Sequence, residues 1–352
     1  MVQRISTATR YAQLVADMQM NQFNYNKLTA QLSSGKKLTS ISDDPIASVN
    51  VLNTNRQLGR IETYQENVGL ATSELSALDD YMELARGYLQ TAWDKAVQAN
   101  NLTYNGDSLK AIKTEIDEIT KTMVDLANSE YDDNYIFAGA NTKLVPYELG
   151  EDGYITYHGT KMDNPDYIRQ TEVADGVFEV INTTGDRVFG YFTQEEVSRD
   201  SNGEIVTLNP DDNKYYYEDG TECTDTNITT QMEDKAVGVM GALRQLSNGL
   251  EKMINGNTSE GYEEIHATLD MFADAHTNIL NQQTKFGGVY NRMEMTTSTL
   301  ETTGDNLTSY LTDLNSIDYA SAITQWLNAQ YAYQASLQVA ASSMNMSLLN
   351  YL

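Results

Sequence analysis

The most constraining stretch of this chain is its last 36 residues, Ile317 to Leu352, in which Asp318 is the only charged side chain. Apolar or small residues return at helical spacing through Ala320, Ile323, Leu327, Leu337, Ala341, Met344 and Leu348. Neither proline nor glycine interrupts them, so the spacing predicts one long helix. A helix that faces water carries charges on its outer side, whereas this one surrounds its stripe with Gln325, Gln330, Gln334, Gln338, Asn328 and Asn345. The amides also break every apolar run well short of the roughly 18 residues that a membrane span requires. Burial among other helices is the reading that remains.

The opposite end has the same property, because Met1 to Gln31 carries only Arg4, Arg10, Asp17 and Lys27 as charged side chains. Tyr11, Leu14, Met18, Asn21, Tyr25, Leu28 and Leu32 alternate three and four apart, the spacing of a coiled-coil seam. Polar layers at Asn21, Gln330 and Gln334 weaken such a seam and specify its register. The two termini are therefore expected to be partners. The candidate assembly residues are Tyr11, Leu14, Met18, Tyr25, Leu28 and Leu32 from the first helix. From the last they are Ile323, Trp326, Leu327, Tyr333, Leu337, Met344, Leu348 and Leu349. An antiparallel pair that merely caps a monomer is the alternative; scarcity of charge favours burial between subunits of a homo-oligomer.

Composition narrows the function classes. Fifty acidic against 23 basic residues leave a net charge of −27, which argues against nucleic acid or an anionic membrane surface as partner. The single cysteine, Cys223, excludes an intramolecular disulfide, and three scattered histidines leave little material for a metal centre, so no cofactor is expected. No apolar h-region follows Met1, so a cleaved secretory signal is not expected and export would need another route.

In chain order, the first helix is expected to end near Ser34, with Gly35 in the left-handed cap conformation. Asp43 and Asp44 before Pro45 predict the next helix start, a carboxylate cap followed by proline at the first helical position. Val68, Ala71, Leu75, Leu78, Met82, Ala85, Leu89, Ala92, Ala96 and Ala99 then keep one unbroken seam. A turn at Asn105-Gly106 precedes a returning helix marked by Leu109, Ile112, Ile116, Ile119, Met123 and Leu126. Beyond Tyr131 the texture changes. Asp152-Gly153, Asp175-Gly176, Asn202-Gly203 and Asp219-Gly220 are hairpin-turn dipeptides beside β-prone runs. Helix is expected to resume near Thr229 with Ala236, Val239, Leu243, Leu246, Leu250 and Met253 on one stripe. After Asn255-Gly256-Asn257 a long seam runs through Tyr262, Ile265, Leu269, Phe272, His276, Ile279, Gln283, Phe286, Tyr290, Met293 and Leu300 to Leu314.

The expected fold class is thus mainly α with an inserted β domain, a long-helix coiled-coil bundle or rod made from both chain termini. Its parts are a terminal helical assembly domain (1–40 and 317–352), a long-helix bundle domain (41–139 and 229–316) and a small inserted β domain (140–228). Excising Val145 to Asn227 and closing the gap with a short flexible linker is expected to leave assembly largely intact. Gly35-Lys36 fails as a phosphate loop, with Ala30 and Lys37 at two obligatory positions. Asp200 to Glu204 and Asp211 to Asn213 fit turns better than calcium loops. A secreted enzyme whose acidic β domain pairs two carboxylates is the remote alternative, and nothing in the sequence selects such a pair.

The stretch LSSGKKLTSISDDP, residues 32 to 45, resembles the N-terminal signature of the flagellin-like family of flagellins and flagellar hook-associated proteins. Gly35, Asp43, Asp44 and Pro45 carry that signature, with Arg4 to Thr7 before it and Ser347 to Leu352 at the end of the chain. Tyr135, Phe137 and Gly139, in Tyr-Ile-Phe-Ala-Gly, resemble the hook-associated members more than flagellin itself. The resemblance implies a structural, non-enzymatic, flagellin-like protein exported by the flagellar type III apparatus with a chaperone. It also implies a homo-oligomeric ring between the first hook-associated protein and flagellin, at the hook–filament junction, with the terminal helices in the assembled inner tube.

Overall fold

The computed structural model of the chain describes residues 7–100, 106–161, 168–209, 214–218, 221–225 and 227–349, with side chains described between 9 and 342. The helical elements are α1 (Thr7–Ser34), α2 (Pro45–Ala99), α3 (Gly106–Ala127), α4 (Gly185–Val188), α5 (Gly238–Ile254), α6 (Thr258–Asn315) and α7 (Tyr319–Leu349). Between α3 and α5 lie β1 (Glu130–Tyr131), β2 (Asn134–Tyr135), β3 (Tyr147–Leu149), β4 (Ile155–Tyr157), β5 (Gln170–Ala174), β6 (Val177–Val180), β7 (Tyr191–Arg199), β8 (Ile205–Asn209), β9 (Lys214–Tyr216) and β10 (Thr229–Val237). The class is the expected one, mainly α with a β region set between helical halves. Contacts divide the chain into two compact units, Met1–Tyr64 with Ser298–Leu352, and Gln65–Thr297. Asn105, Asp211 to Asn213, Asp219-Gly220 and the opening Arg4 to Ser6 lie outside the described residues.

The second unit is organised on the α2 seam. Every member from Val68 to Ala99 is at most 2 % exposed, and five of the ten are alanines. Alternating alanine with leucine or methionine lets neighbouring helices approach closely while the large residues interlock. α6 buries Ile265, Phe272, Ile279, Phe286 and Met293, one residue per heptad. The intervening layer differs from expectation. Tyr262, Leu269, His276, Gln283 and Tyr290 are only half-buried, and their predecessors Gly261, Thr268, Ala275, Gln282 and Val289 turn inward. Both choices satisfy the three-four alternation. The smaller set is selected because it permits closer packing, and the larger rings stay at the margin, as His276 does with its ring centroid 6.4 Å from that of Trp93. α3 and α5 pack on each other, burying Ile112, Ile116 and Met123 on one and Leu243, Leu246 and Leu250 on the other.

The expectation of helix from Thr229 is corrected by β10. That strand pairs antiparallel with β7 over nine residues, from Thr229↔Arg199 to Val237↔Tyr191, and α5 begins only at Gly238. The long ladder satisfies every second backbone group across to β7, which outweighs the weak helical period that starts at Ala236. The switch is made by two glycines. Gly190 and Gly238 have φ of +73° and +61°, and a Cβ on Gly190 would stand 1.9 Å from the Val237 carbonyl oxygen. The sheet order is β3-β4-β7-β8-β9 with β10 on β7; β1-β2 and β5-β6 are separate hairpins.

The Tyr135 to Gly139 segment anchors this region. Phe137 is fully buried and meets the Phe189 ring edge-on at 4.8 Å. Its carbonyl accepts hydrogen bonds from Tyr157 Oη and the Gly185 amide, both at 2.8 Å. Gly139 adopts φ +75°, where a Cβ would press within 3.0 Å of Thr160. Tyr147 is buried beside Tyr157, donates its hydroxyl proton to the Gly190 carbonyl at 2.8 Å, and has its phenol pushed well above the usual range by desolvation. Asn128, at the end of α3, closes the link by exchanging hydrogen bonds with the Tyr147 backbone at 2.9 and 2.8 Å.

Excision at Val145 therefore removes core. Deleting 145–227 takes out Tyr147, Tyr157 and Phe189, rings whose truncation alone costs about 3–5 kcal/mol each, so thermal unfolding should lose its cooperativity. Removing only Gln194 to Asp234 and joining the paired residues Thr193 and Lys235 by Asn-Gly should retain cooperative unfolding and the same helical circular dichroism. In the bundle, Phe272→Ala should cost about 3–5 kcal/mol in denaturant titrations and Leu269→Ala about 1 kcal/mol.

Candidate assembly surface of the terminal helices

The first unit is joined by the turns around Gly35 and Asn315. Gly35 takes φ +67° and stops α1, and a Cβ there would lie 2.6 Å from the Tyr319 hydroxyl. The amides of Lys37 and Leu38 donate to the Asn315 carbonyl and Asn315 Oδ1 at 2.6 and 3.0 Å; the Ile317 amide returns a bond to the Gly35 carbonyl at 3.3 Å. The two acids before Pro45 divide their work. Asp44 Oδ1 accepts from the amides of Ile46 and Ala47 at 3.1 and 3.0 Å, a helix cap with Pro45 at the first helical position. Asp43 faces back, accepting from the amides of Thr39 and Ser40 and the Thr39 hydroxyl, and pairing with Lys27 Nζ of α1 at 2.7 Å. Those donors, Lys27 foremost, hold its carboxyl down at about 2.

Beyond this turn α1 and α7 run along each other. Tyr11, Leu14, Met18, Asn21, Tyr25, Leu28 and Leu32 are the half-buried positions of α1 expected from their spacing. Ala322, Trp326, Ala329, Tyr333, Ser336 and Ala340 of α7 are shielded from solvent in four-three alternation, with Gln330 beside them. The Tyr25 ring lies 5.8 Å from Trp326 and 6.1 Å from Tyr333, nearly parallel to the latter. Trp326 Nε1 donates to Thr29 Oγ1 at 2.9 Å, and that hydroxyl donates in turn to the Tyr25 carbonyl. Gln330 is half-buried and Gln334 exposed, so only the former can serve as a polar layer within the chain.

The expected α7 stripe is therefore rotated by about one residue. Ala320, Ile323, Leu327, Leu337 and Ala341 face outward, with Ile323, Leu327 and Leu337 at 47, 38 and 42 % exposure. Alanine and serine make room for α1, and the two aromatic rings supply the contact area that the aliphatic stripe would have supplied. Of the candidate residues, Tyr11, Leu14, Met18, Tyr25, Leu28, Leu32, Trp326 and Tyr333 lie on the shielded sides of the two helices. The side chains of Met344, Leu348 and Leu349 lie outside the described residues. Outward-facing residues that sequence reasoning missed are Val15, Met20 and Phe23 on α1 and Tyr331 and Val339 on α7, all 46 to 65 % exposed. The small-residue alternation of Ala322, Ala329, Ser336 and Ala340 was the signal that could have found them.

The result is a helix pair with bulky apolar side chains turned to solvent and almost no charge. Such a surface suits protein partners that cover it, not a small molecule. A shallow groove between Leu32, Ile323 and Trp326 lies on it. No cluster of three or more histidine, cysteine or acidic residues placed to hold a metal occurs among the described residues, and no described helix is long and apolar enough to cross a membrane.

Residues 5–142 match the bacterial flagellin N-terminal helical region and residues 269–352 the bacterial flagellin C-terminal helical region. The chain is 25 % identical to flagellar hook-associated protein 3 of Salmonella typhimurium and 24 % identical to that of Escherichia coli, each across 98 % of both chains. Its fold is similar to the crystal structure of flagellar hook associated protein-3 from Legionella pneumophila, with a TM-score of 0.57 at 19 % identity, covering 75 % of this chain and 98 % of that one. Xanthomonas campestris FlgL superposes with a TM-score of 0.54 at 19 % identity, covering 74 % and 99 %.

The Asp43 carboxyl provides a pH test of the turn. Its folded value is depressed from 3.8 to about 2, so the stability it contributes is complete above pH 3.8 and is lost as pH falls through about 2. Carboxyl carbon chemical shifts should titrate with a midpoint near 2 for Asp43. In Lys27→Met the midpoint should rise toward the ordinary aspartate range.

Proposed function

Because the chain belongs to the flagellin-like family through both of its helical ends, we infer that it is a structural component of the bacterial flagellum that self-assembles at the junction of hook and filament. The observation that carries this reading is the similarity to two hook-associated proteins 3 across nearly the whole chain, β region included. The matched family regions are those of flagellin, so a filament subunit is the second reading. The two predict different phenotypes. Supplied to a strain lacking its junction protein, this chain should restore filament attachment; supplied to a strain lacking flagellin, it should not build a filament.

In this proposal the terminal segments, 1–40 and 317–352, form the assembly domain, 41–139 with 238–316 the helical middle, and 140–237, β10 included, the outward β domain. The subunits close into a homo-oligomeric ring, with the first hook-associated protein on the hook side and flagellin on the filament side. The outward apolar residues of α1 and α7 support this division, because a face without charge gains by burial against further subunits. An export chaperone covers the same face before assembly, and the flagellar export apparatus secretes the chain without a cleaved signal peptide. The net charge of −27 favours neither nucleic acid nor membrane insertion as an alternative destination.

Leu337→Asp tests the surface. With Leu337 42 % exposed in the isolated chain, the thermal midpoint of the monomer should hardly move. In the assembly the carboxylate would be buried without a partner at a cost on the order of several kcal/mol per subunit, so filaments should be absent and flagellin should appear in the medium. Trp326→Ala should behave differently, loosening α1 from α7 in the monomer itself, as amide exchange would read.

A further inference from the structure

The ladder with β10 occupies only one edge of β7. On the other edge β4 meets β7 at Phe192, and β8 meets it at Ser198 and Arg199. Between those contacts residues 193–197 pair with no strand on that edge among the described residues. β8 turns away after Val206 and continues on β9 through Thr207, Leu208 and Asn209. The sheet is therefore split, and a wedge of about 700 Å³ opens between β7 and β8, reached also by side chains of β10 and by Tyr215 of β9. In an antiparallel ladder every second residue directs its N–H and C=O away from the partner strand. The open edge of β7 thus presents backbone groups that no strand pairs over about 17 Å.

The charge of the wedge is uneven. Lys235 Nζ pairs with Glu195 at 2.7 Å, and Arg199 holds both carboxylate oxygens of Glu233 at 3.0 and 2.8 Å. Asp234 accepts from the neutral Tyr154 Oη and Gln194 Nε2, and exposed Glu196 enters no ion pair among the described residues. By register and by the two-residue period, Glu196 and Asp234 share one face of the sheet with Leu208 and Tyr215. Leu208 is 43 % exposed there. One face of the wedge is thus acidic beside an apolar strip, while the charges on the other face are already matched.

We propose that the wedge receives an extended, basic segment of a partner protein as an added strand on β7. Main-chain hydrogen bonds to the open edge supply the pairing, and side chains at alternate positions supply the choice of partner. Lysine or arginine fits the acidic face, since the aliphatic stem can cover Leu208 and Tyr215 while the charged head reaches Glu196 and Asp234. A second copy of this chain is disfavoured as the occupant. Its own open edge would set Glu195 and Glu196 against the same acids, and like charges directly opposite destabilise a strand pair. The contact lies within the second unit and does not depend on the junction reading.

Hydrogen exchange of the full chain tests this, with acetyl-Lys-Thr-Lys-Val-Lys-Thr-amide as the probe. The peptide at millimolar concentration should slow exchange within residues 193–197 and leave α2 and α6 unchanged, and the protection should weaken as salt is raised. The same peptide with glutamate in place of lysine should give none. N-methylation of the three lysines, or of the other three residues, removes alternate donors, and one of these two forms should lose the protection because only one set faces β7. Glu196→Lys should leave the thermal midpoint of the chain unmoved and weaken the apparent affinity for the peptide by about tenfold. No protection by the unmodified peptide, equal protection by both N-methylated forms, or undiminished affinity in Glu196→Lys would each overturn the proposal. Protection of the same amides that rises with protein concentration alone would assign the edge to a second copy and overturn it as well.

Discussion

Burial of the α2 and α6 seams is the constraint on which the second unit depends. Leu75, Leu78, Met82 and Leu89 reach zero or near-zero exposure because Ala71, Ala85, Ala92, Ala96 and Ala99 between them let other helices come near. α6 answers with its own small layer, Gly261, Thr268 and Ala275, against a heptad of Ile265, Phe272, Ile279 and Phe286. The polar exception is Gln282, buried with its amide oxygen lacking a partner among the described residues. A buried amide at one layer of a largely apolar seam specifies register at a cost in stability. Register is then inherited by everything attached to these helices.

The β region inherits it through few, stiff attachments. Phe137, Tyr147 and Phe189 form an aromatic cluster at its base, and the phenol and backbone groups there are satisfied by one another. The β5-β6 hairpin adds polar ties to the helices: Arg169 pairs with Glu74, Arg292 with Glu179, and Asn67 Nδ2 donates to the Glu172 carbonyl. Desolvation depresses the Arg169 guanidinium, a cost that the adjacent carboxylate offsets. Farther out, β8 pairs with β7 and β9 with β8, away from the aromatic cluster, so variation there is tolerated where variation at Phe137 or Tyr147 is not.

How much of this was legible follows from which forces leave a local pattern. The α2 seam was readable to the residue, since each buried position is apolar and the spacing never breaks. The Gly35 cap, the Asp44-Pro45 start and the hairpins at Asp152-Gly153, Asp175-Gly176 and Asn202-Gly203 were readable because backbone conformation there demands particular residues. β10 was not, since its partner β7 lies some thirty residues away and nothing local marks the pairing. The α6 and α7 seams were misread by one residue for a shared reason. Hydrophobicity favoured Leu269 and Ile323, whereas closeness of backbones favoured Thr268 and Ala322, and packing against a partner helix is not visible in one helix's own sequence. Within the assembly surface this error mattered most, because it exchanged the inward and outward sides of α7.

That exchange clarifies what the scarcity of charge at the termini accomplishes. Were Ile323, Leu327 and Leu337 packed on α1, the exposed side of α7 would be alanine, serine and glutamine, a surface with little to gain from further burial. With Trp326 and Tyr333 inward, their rings supply much of the contact with α1, and Ile323, Leu327 and Leu337 stay on the exposed side. Residues 319–342 contain no charged side chain at all, so repulsion between neighbouring copies is removed where they would crowd. Solubility before assembly is left to the acids elsewhere, which account for the net charge of −27.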